Sequence, residues 1–236
     1  EMTASAIQDL RVKVRGSDIP VWHSGDHGPA IILIHGAGGN RREWEQTLLA
    51  LSDACRVYAP DLIGFGESPR DGITYTVEIF RDFVVGLMDE LGIENAILVG
   101  HSLGGRISLA VASAIPERVS RLVLIAPLGF GNLLPLGRVI ATSVWVIHKA
   151  ARMSLPYPDM ELNLNDYKSN VFKNVRQPTL LVWGSRDFYF PKSHGWRALK
   201  TLPNATLKIY NGAGHAPHKD YPMHFISDVK HFISRN

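Results

Sequence analysis

Two rhythms of hydrophobic and polar residues run through this chain. Leu10–Arg15 and Ile19–His23 alternate apolar with polar positions, which predicts an antiparallel pair with one wet face. Ala30–His35 contains the unbroken apolar run Ile31-Ile32-Leu33-Ile34, which predicts a strand covered on both faces. Val57–Pro60, Ala96–Gly100, Leu122–Ala126, Thr179–Gly184 and Ala205–Tyr210 are further short β-type runs. Between them the apolar spacing lengthens to three or four residues. Val77, Phe80, Val84, Leu87, Met88 and Leu91 mark a helix over Thr76–Leu91. Leu103–Ile115 is Ala-rich and stops before Pro116, and Pro222–Ile233 carries the stripe Phe225, Ile226, Val229, Phe232 and Ile233. Strands alternating with helices predict an α/β fold, a mostly parallel sheet flanked by helices.

One stretch breaks the alternation. From Leu128 to Val175 no convincing strand is present, and Leu136–Met153 has the periodicity of a helix. Residues 128–175 therefore read as a short cap or lid insertion, and 1–127 with 176–236 as one core domain. A length of 236 residues suits a single α/β domain with a large core.

Composition narrows the function. Twenty-five basic and 22 acidic residues are spread along the chain, and the longest cationic run is Arg41-Arg42, so no basic patch points to nucleic acid. No apolar run approaches the roughly 18 residues of a membrane span. Glu1–Leu10 lacks a cationic start followed by an apolar run and does not read as a signal peptide. The lone cysteine, Cys55, excludes an intrachain disulfide and is compatible with a reducing cytosol, so a cytoplasmic location is expected.

The chemistry begins at Gly100-His101-Ser102-Leu103-Gly104. This G-x-S-x-G follows a predicted strand and precedes a predicted helix, the context that a serine nucleophile on a tight turn requires. The plain alternative is a structural turn serine. A hydroxyl is a weak nucleophile and needs a base. Of ten histidines, His215 is the best placed, in the loop Asn211–Pro217 between the last strand and the last helix. His218 follows three residues on, but without a carboxylate or cysteine cluster the pair is not expected to hold a metal. Asp187, just past the strand Thr179–Gly184, is the candidate to orient the imidazole; a solvated loop aspartate is the alternative. The earlier strand ends in Ala126-Pro127-Leu128-Gly129 and offers no carboxylate there. For an oxyanion, the N–H of Leu103 and that of Ala37, in the loop His35–Asn40, are the candidate donors, and Gly36 lets that loop approach a substrate.

Together these residues resemble the α/β-hydrolase fold superfamily, in its serine-nucleophile branch. The likeness rests on His35-Gly36 after a buried strand, on Gly100-His101-Ser102-Leu103-Gly104-Gly105, on the loop Gly212–Pro217, and on Asp61-Leu62-Ile63-Gly64-Phe65-Gly66-Glu67-Ser68. It implies an eight-stranded sheet with a cap inserted after the sixth strand. Ser102 stands where dehalogenases and epoxide hydrolases of this fold carry aspartate, which argues against both. The insertion is shorter than the usual helical cap. The expected activity is cleavage of a small carboxylic ester or related carbonyl substrate, with no cofactor. Carbon–carbon cleavage of a diketone-type ring-cleavage product stands as an alternative, with Phe65, Phe130 and Trp145 lining its pocket. A non-catalytic ligand receptor is a third reading. Oligomeric state is not read from the sequence.

Overall fold

The computed structural model describes residues 6–70, 72–150, 160–162 and 164–234. Eight strands form one sheet: β1 (Gln8–Val14), β2 (Ser17–Ser24), β3 (Ala30–Ile34), β4 (Arg56–Pro60), β5 (Ala96–His101), β6 (Val119–Ile125), β7 (Thr179–Gly184) and β8 (Ala205–Tyr210). Their order across the sheet is β1-β2-β4-β3-β5-β6-β7-β8. β2 runs antiparallel to both β1 and β4, and every other neighbouring pair is parallel.

The continuous apolar run is explained by the two faces it must fill. Ile32 and Ile34 pack into one core with Leu98, Leu122 and Leu124, while Ile31 and Leu33 pack into a second with Val99, Val123 and Ile125. Helices α2 (Val77–Glu90) and α3 (Leu103–Ala114) cover the first face. The second is covered by α1 (Glu45–Leu51) and, near the chain end, by the helix Pro222–Ile233. α2 buries Val77, Phe80, Val84, Leu87 and Met88, the stripe seen in its spacing, and the Thr76 hydroxyl caps it by accepting from the Ile79 N–H.

Beyond β6, α4 spans Pro135–Ala150, and none of the eight strands comes from the described residues of 128–175. Met160–Glu161 instead pairs with Tyr75–Thr76 as a two-residue parallel ladder. Residues 166–172 are tied to the core by cations. Arg106 of α3 pairs with Asp166 and lies 4.9 Å from the Phe172 ring. Arg197, on α5 (Lys192–Thr201), lies 4.7 Å from the Tyr167 ring. α1 and α5 are not visible in the hydrophobic pattern. α1 has only seven residues, and α5 buries His194, Gly195 and Ala198, too small and polar a face to show as a stripe. No helix among the described residues is long and apolar enough to cross a membrane.

Parallel strands put their carboxyl ends at one rim, where the loops after β3, β5, β7 and β8 meet. A buried ion pair braces the first of these. Asp61, fully buried, accepts from the Arg41 N–H at 2.6 Å, from Arg41 Nη1 at 2.6 Å and from the Glu67 N–H at 2.8 Å. One carboxylate thus ties the turn after β3 to the loop 61–68. Arg41→Ala leaves that carboxylate buried without its cation, and is expected to lower the unfolding free energy by about 3–5 kcal/mol. Urea denaturation checks this; a loss below about 1 kcal/mol would show that the pair does not brace the rim.

Candidate active site

Only one residue separates β5 from α3, and it is Ser102. Its backbone is left-handed, at φ 52° and ψ −110°, a conformation that costs a non-glycine residue about 1–3 kcal/mol. Three hydrogen bonds hold it: Ser102 N–H donates to Ile125 O at 2.8 Å, and Ser102 O accepts from the N–H groups of Arg106 at 3.1 Å and Leu128 at 3.2 Å. The turn is possible because α3 lies hard against β3. A Cβ on Gly104 would collide with the Ile34 carbonyl, and one on Gly100 would collide with the Gly104 backbone. Ser102 occupies the N-cap position of α3 but makes no capping hydrogen bond. A serine kept only to end a strand and start a helix ordinarily caps the first turn. This one leaves its hydroxyl out of the helix.

Asp187 is 5% exposed, which removes the alternative of a solvated loop residue. Its Oδ1 accepts from the N–H groups of Tyr189 at 2.8 Å and Phe190 at 2.9 Å, and its Oδ2 lies 2.7 Å from His215 Nδ1. The carboxylate can only accept there, so Nδ1 carries the hydrogen and Nε2 keeps its lone pair. Burial pushes His215 below the ordinary histidine pKa, against the opposing pull of Asp187. The Tyr189 and Phe190 rings, 5.1 and 5.6 Å from the imidazole, supply part of that burial.

The loops after β3 and β8 meet beside the Ser102 turn. The His101 ring lies 5.0 Å from the His215 ring, and His101 Nε2 lies 3.0 Å from the His215 carbonyl oxygen. A Cβ on Gly36 would lie 3.3 Å from the Ser102 Cβ, so the backbone after β3 passes directly over the turn. His35 sets that backbone. Its Nε2 accepts from the Leu62 N–H at 3.0 Å, and its Nδ1–H donates to the Gly36 carbonyl at 2.8 Å. Burial holds this ring below the ordinary histidine pKa, which suits the neutral tautomer these two contacts require. Ala37 follows, exposed, in a turn closed by Gly39 N–H to Gly36 O at 3.0 Å. Leu103 is the first residue of α3, so its N–H has no intrahelical acceptor.

The remaining pocket candidates lie elsewhere. Phe65 is 1% exposed and packs edge-on to His35 and against Phe80. Phe130 is equally buried, against Phe172. Trp145 falls on α4, and its side chain lies outside the described residues. The sequence reading gave no role to Glu43, His101 or His218. The expectation that no carboxylate approaches His218 is corrected here, because folding brings Glu43 Oε1 to 3.0 Å from His218 Nε2. The two are 175 positions apart, too far for any local spacing to reveal.

The sequence matches the family described as alpha/beta hydrolase fold over residues 29–154, more than half of the chain. An uncharacterised protein of Mycobacterium tuberculosis is 28% identical over 87% of this chain and 75% of its own length. A 2-hydroxymuconate semialdehyde hydrolase from a Pseudomonas species is 41% identical, over 45% of this chain and 39% of its own. Among solved structures, a carboxylesterase from Bacillus subtilis superposes with a TM-score of 0.84 at 23% identity, covering 97% of this chain and 92% of that one. The shared sheet and the family match lead to one conclusion: this chain belongs to the α/β-hydrolase fold family.

Proposed function

We propose that the chain is a serine hydrolase that cleaves small carboxylic esters through an acyl-enzyme. The observation that carries the reading is the strained, uncapped turn at Ser102, whose neighbour His101 lies 5.0 Å, ring to ring, from an imidazole already oriented by a buried carboxylate. In this reading Ser102 Oγ attacks the ester carbonyl carbon while His215 Nε2 takes the hydroxyl proton. Asp187 holds the imidazole in the required tautomer and stabilises its protonated form. The N–H groups of Leu103 and Ala37 receive the charge that develops on the carbonyl oxygen. His215 then returns the proton to the departing alkoxide. Water, deprotonated by the same ring, releases the acid. These steps need no cofactor. The segment 128–175 acts as a short cap over the rim, and its limited length favours small substrates.

A second reading, carbon–carbon cleavage of a diketone-type substrate, is favoured by one observation, the 41% identity to the semialdehyde hydrolase over 111 residues. The same three side chains serve it. Side-by-side assays separate the two: the ester reading expects kcat/KM for a short-chain aryl ester to exceed that for a vinylogous diketone acid by tenfold or more. The reverse order would transfer the assignment to carbon–carbon cleavage.

Two further outcomes follow from the roles. Ser102→Ala is expected to lower kcat by about 10³-fold or more with the fold intact by circular dichroism. Wild-type activity in that variant would remove the nucleophile from the account. The base must be neutral to work, and burial lowers its pKa. Activity is therefore expected to hold on acidification past pH ~6.5, the ordinary histidine value, and to fall only below it. A pH profile of kcat/KM with its acid limb above that value would contradict the burial argument.

A further inference from the structure

Behind the Ser102 turn lies a buried cluster that these steps do not use. Glu43 stands on the 3-10 turn Arg41–Trp44, His101 ends β5, and His218 lies on the short helix α6 (Pro217–Asp220). Their side chains are 4%, 9% and 1% exposed. Glu43 Oε1 is 2.8 Å from His101 Nδ1 and 3.0 Å from His218 Nε2, and Lys219 Nζ is 3.3 Å from Glu43 Oε2. The other nitrogen of His101, Nε2, faces the main-chain oxygen of His215 at 3.0 Å.

A carboxylate oxygen and a peptide oxygen can only accept. Both ring nitrogens of His101 therefore face acceptors, and each contact needs its own N–H. Neutral imidazole has one such hydrogen, and imidazolium has two. His218 is different: its Nε2–H meets Glu43, but its Nδ1 is buried without a partner, so one hydrogen suffices. Burial pushes His218 down to about 4, which keeps it neutral. Burial alone would raise the Glu43 carboxyl, but the two imidazoles and their hydrogen bonds outweigh it and hold the group well below the usual carboxylate range. The cluster thus contains an anion touching one ring that needs two protons and one that needs a single proton.

We propose that His101 is a buried imidazolium, paired with Glu43, that acts as a positioning residue for His215. Its Nε2–H fixes the main chain of the loop that carries the base. Its charge, with the ring centres 5.0 Å apart, opposes protonation of the base itself. The charged and titratable groups facing His101 come from every element around it: Glu43 from the 3-10 turn, His35 from the end of β3, and His215, His218 and Lys219 from the last loop and α6. The effect on catalysis rests on the serine-hydrolase reading; the charge on His101 does not. A metal ion is the rival use of this cluster, since the donor atoms of Glu43, His101 and His218 lie within 4.8 Å of one another. His101 Nδ1 and His218 Nε2 lie 2.8 and 3.0 Å from Glu43 Oε1, distances that hydrogen bonds account for without an ion.

The test is nitrogen NMR of the full chain with labelled histidine, joined to a pH profile. At pH 7 the wild type is expected to show one histidine with both ring nitrogens protonated, absent from His101→Gln. The glutamine amide can still donate to the His215 carbonyl, so this variant removes the charge and keeps the tether. With an aryl ester, its acid limb of kcat/KM is expected to move up by about half a pH unit or more, because the repelling cation is gone and Glu43 remains. Three results would overturn the proposal: an unprotonated ring nitrogen on His101 in the wild type, an acid limb that stays in place in His101→Gln, or stoichiometric zinc binding that His101→Gln abolishes. Full ester activity in Ser102→Ala would instead defeat the hydrolase reading, and the NMR result would still decide the charge.

Discussion

The architecture turns on a constraint of chain length: a strand must become a helix across one residue. At position 102 the backbone takes a left-handed φ of 52°, and α3 lies back against β3 and β5 at a distance that tolerates no side chain on Gly104 or Gly100. That conformation is unfavourable by itself. It persists because the Ser102 N–H and carbonyl are held from β6, from α3 and from the segment after β6 at once. The cost is local and the restraint is global, as expected where backbone strain serves a site.

The same logic spreads outward from the turn. The loop after β3 runs within van der Waals distance of Ser102 at Gly36, and two buried polar groups keep it there. His35 clips it to the Leu62 N–H, and the Arg41–Asp61 pair locks its far end to the loop 61–68. On the other side, Asp187 is itself fixed by two backbone N–H groups before it meets His215. His215 is thus oriented by a carboxylate whose other oxygen is already held by two backbone N–H groups. Such an arrangement has little reorganisation left to do when charge moves.

Much of this was legible in the sequence because it depends on short-range patterns. The run Ile31–Ile34 announced a strand with two buried faces, and G-x-S-x-G between a strand and a helix announced the turn. Asp187 and His215 stood out by their positions just past strands. What stayed hidden was of two kinds. α5 was invisible because its buried face is His194, Gly195 and Ala198, which no hydrophobic stripe can mark. Glu43 and the role of His218 were hidden because their meaning lies in a contact across almost the whole chain, and the role of His101 because a variable position of a motif draws no notice. Asp61 was noticed only as part of a familiar loop; its role as the acceptor for Arg41 needed coordinates.

The central claim is that the Ser102 turn presents an activated hydroxyl. An alkyl fluorophosphonate reports this directly, since it phosphonylates a serine only where a neighbouring base and oxyanion donors assist the attack. Treatment of the native chain at pH 7, followed by peptide mass analysis, is predicted to find one adduct per chain, on Ser102, and none after unfolding in urea before treatment. Labelling of a different serine, or no labelling of the folded chain, would contradict the account.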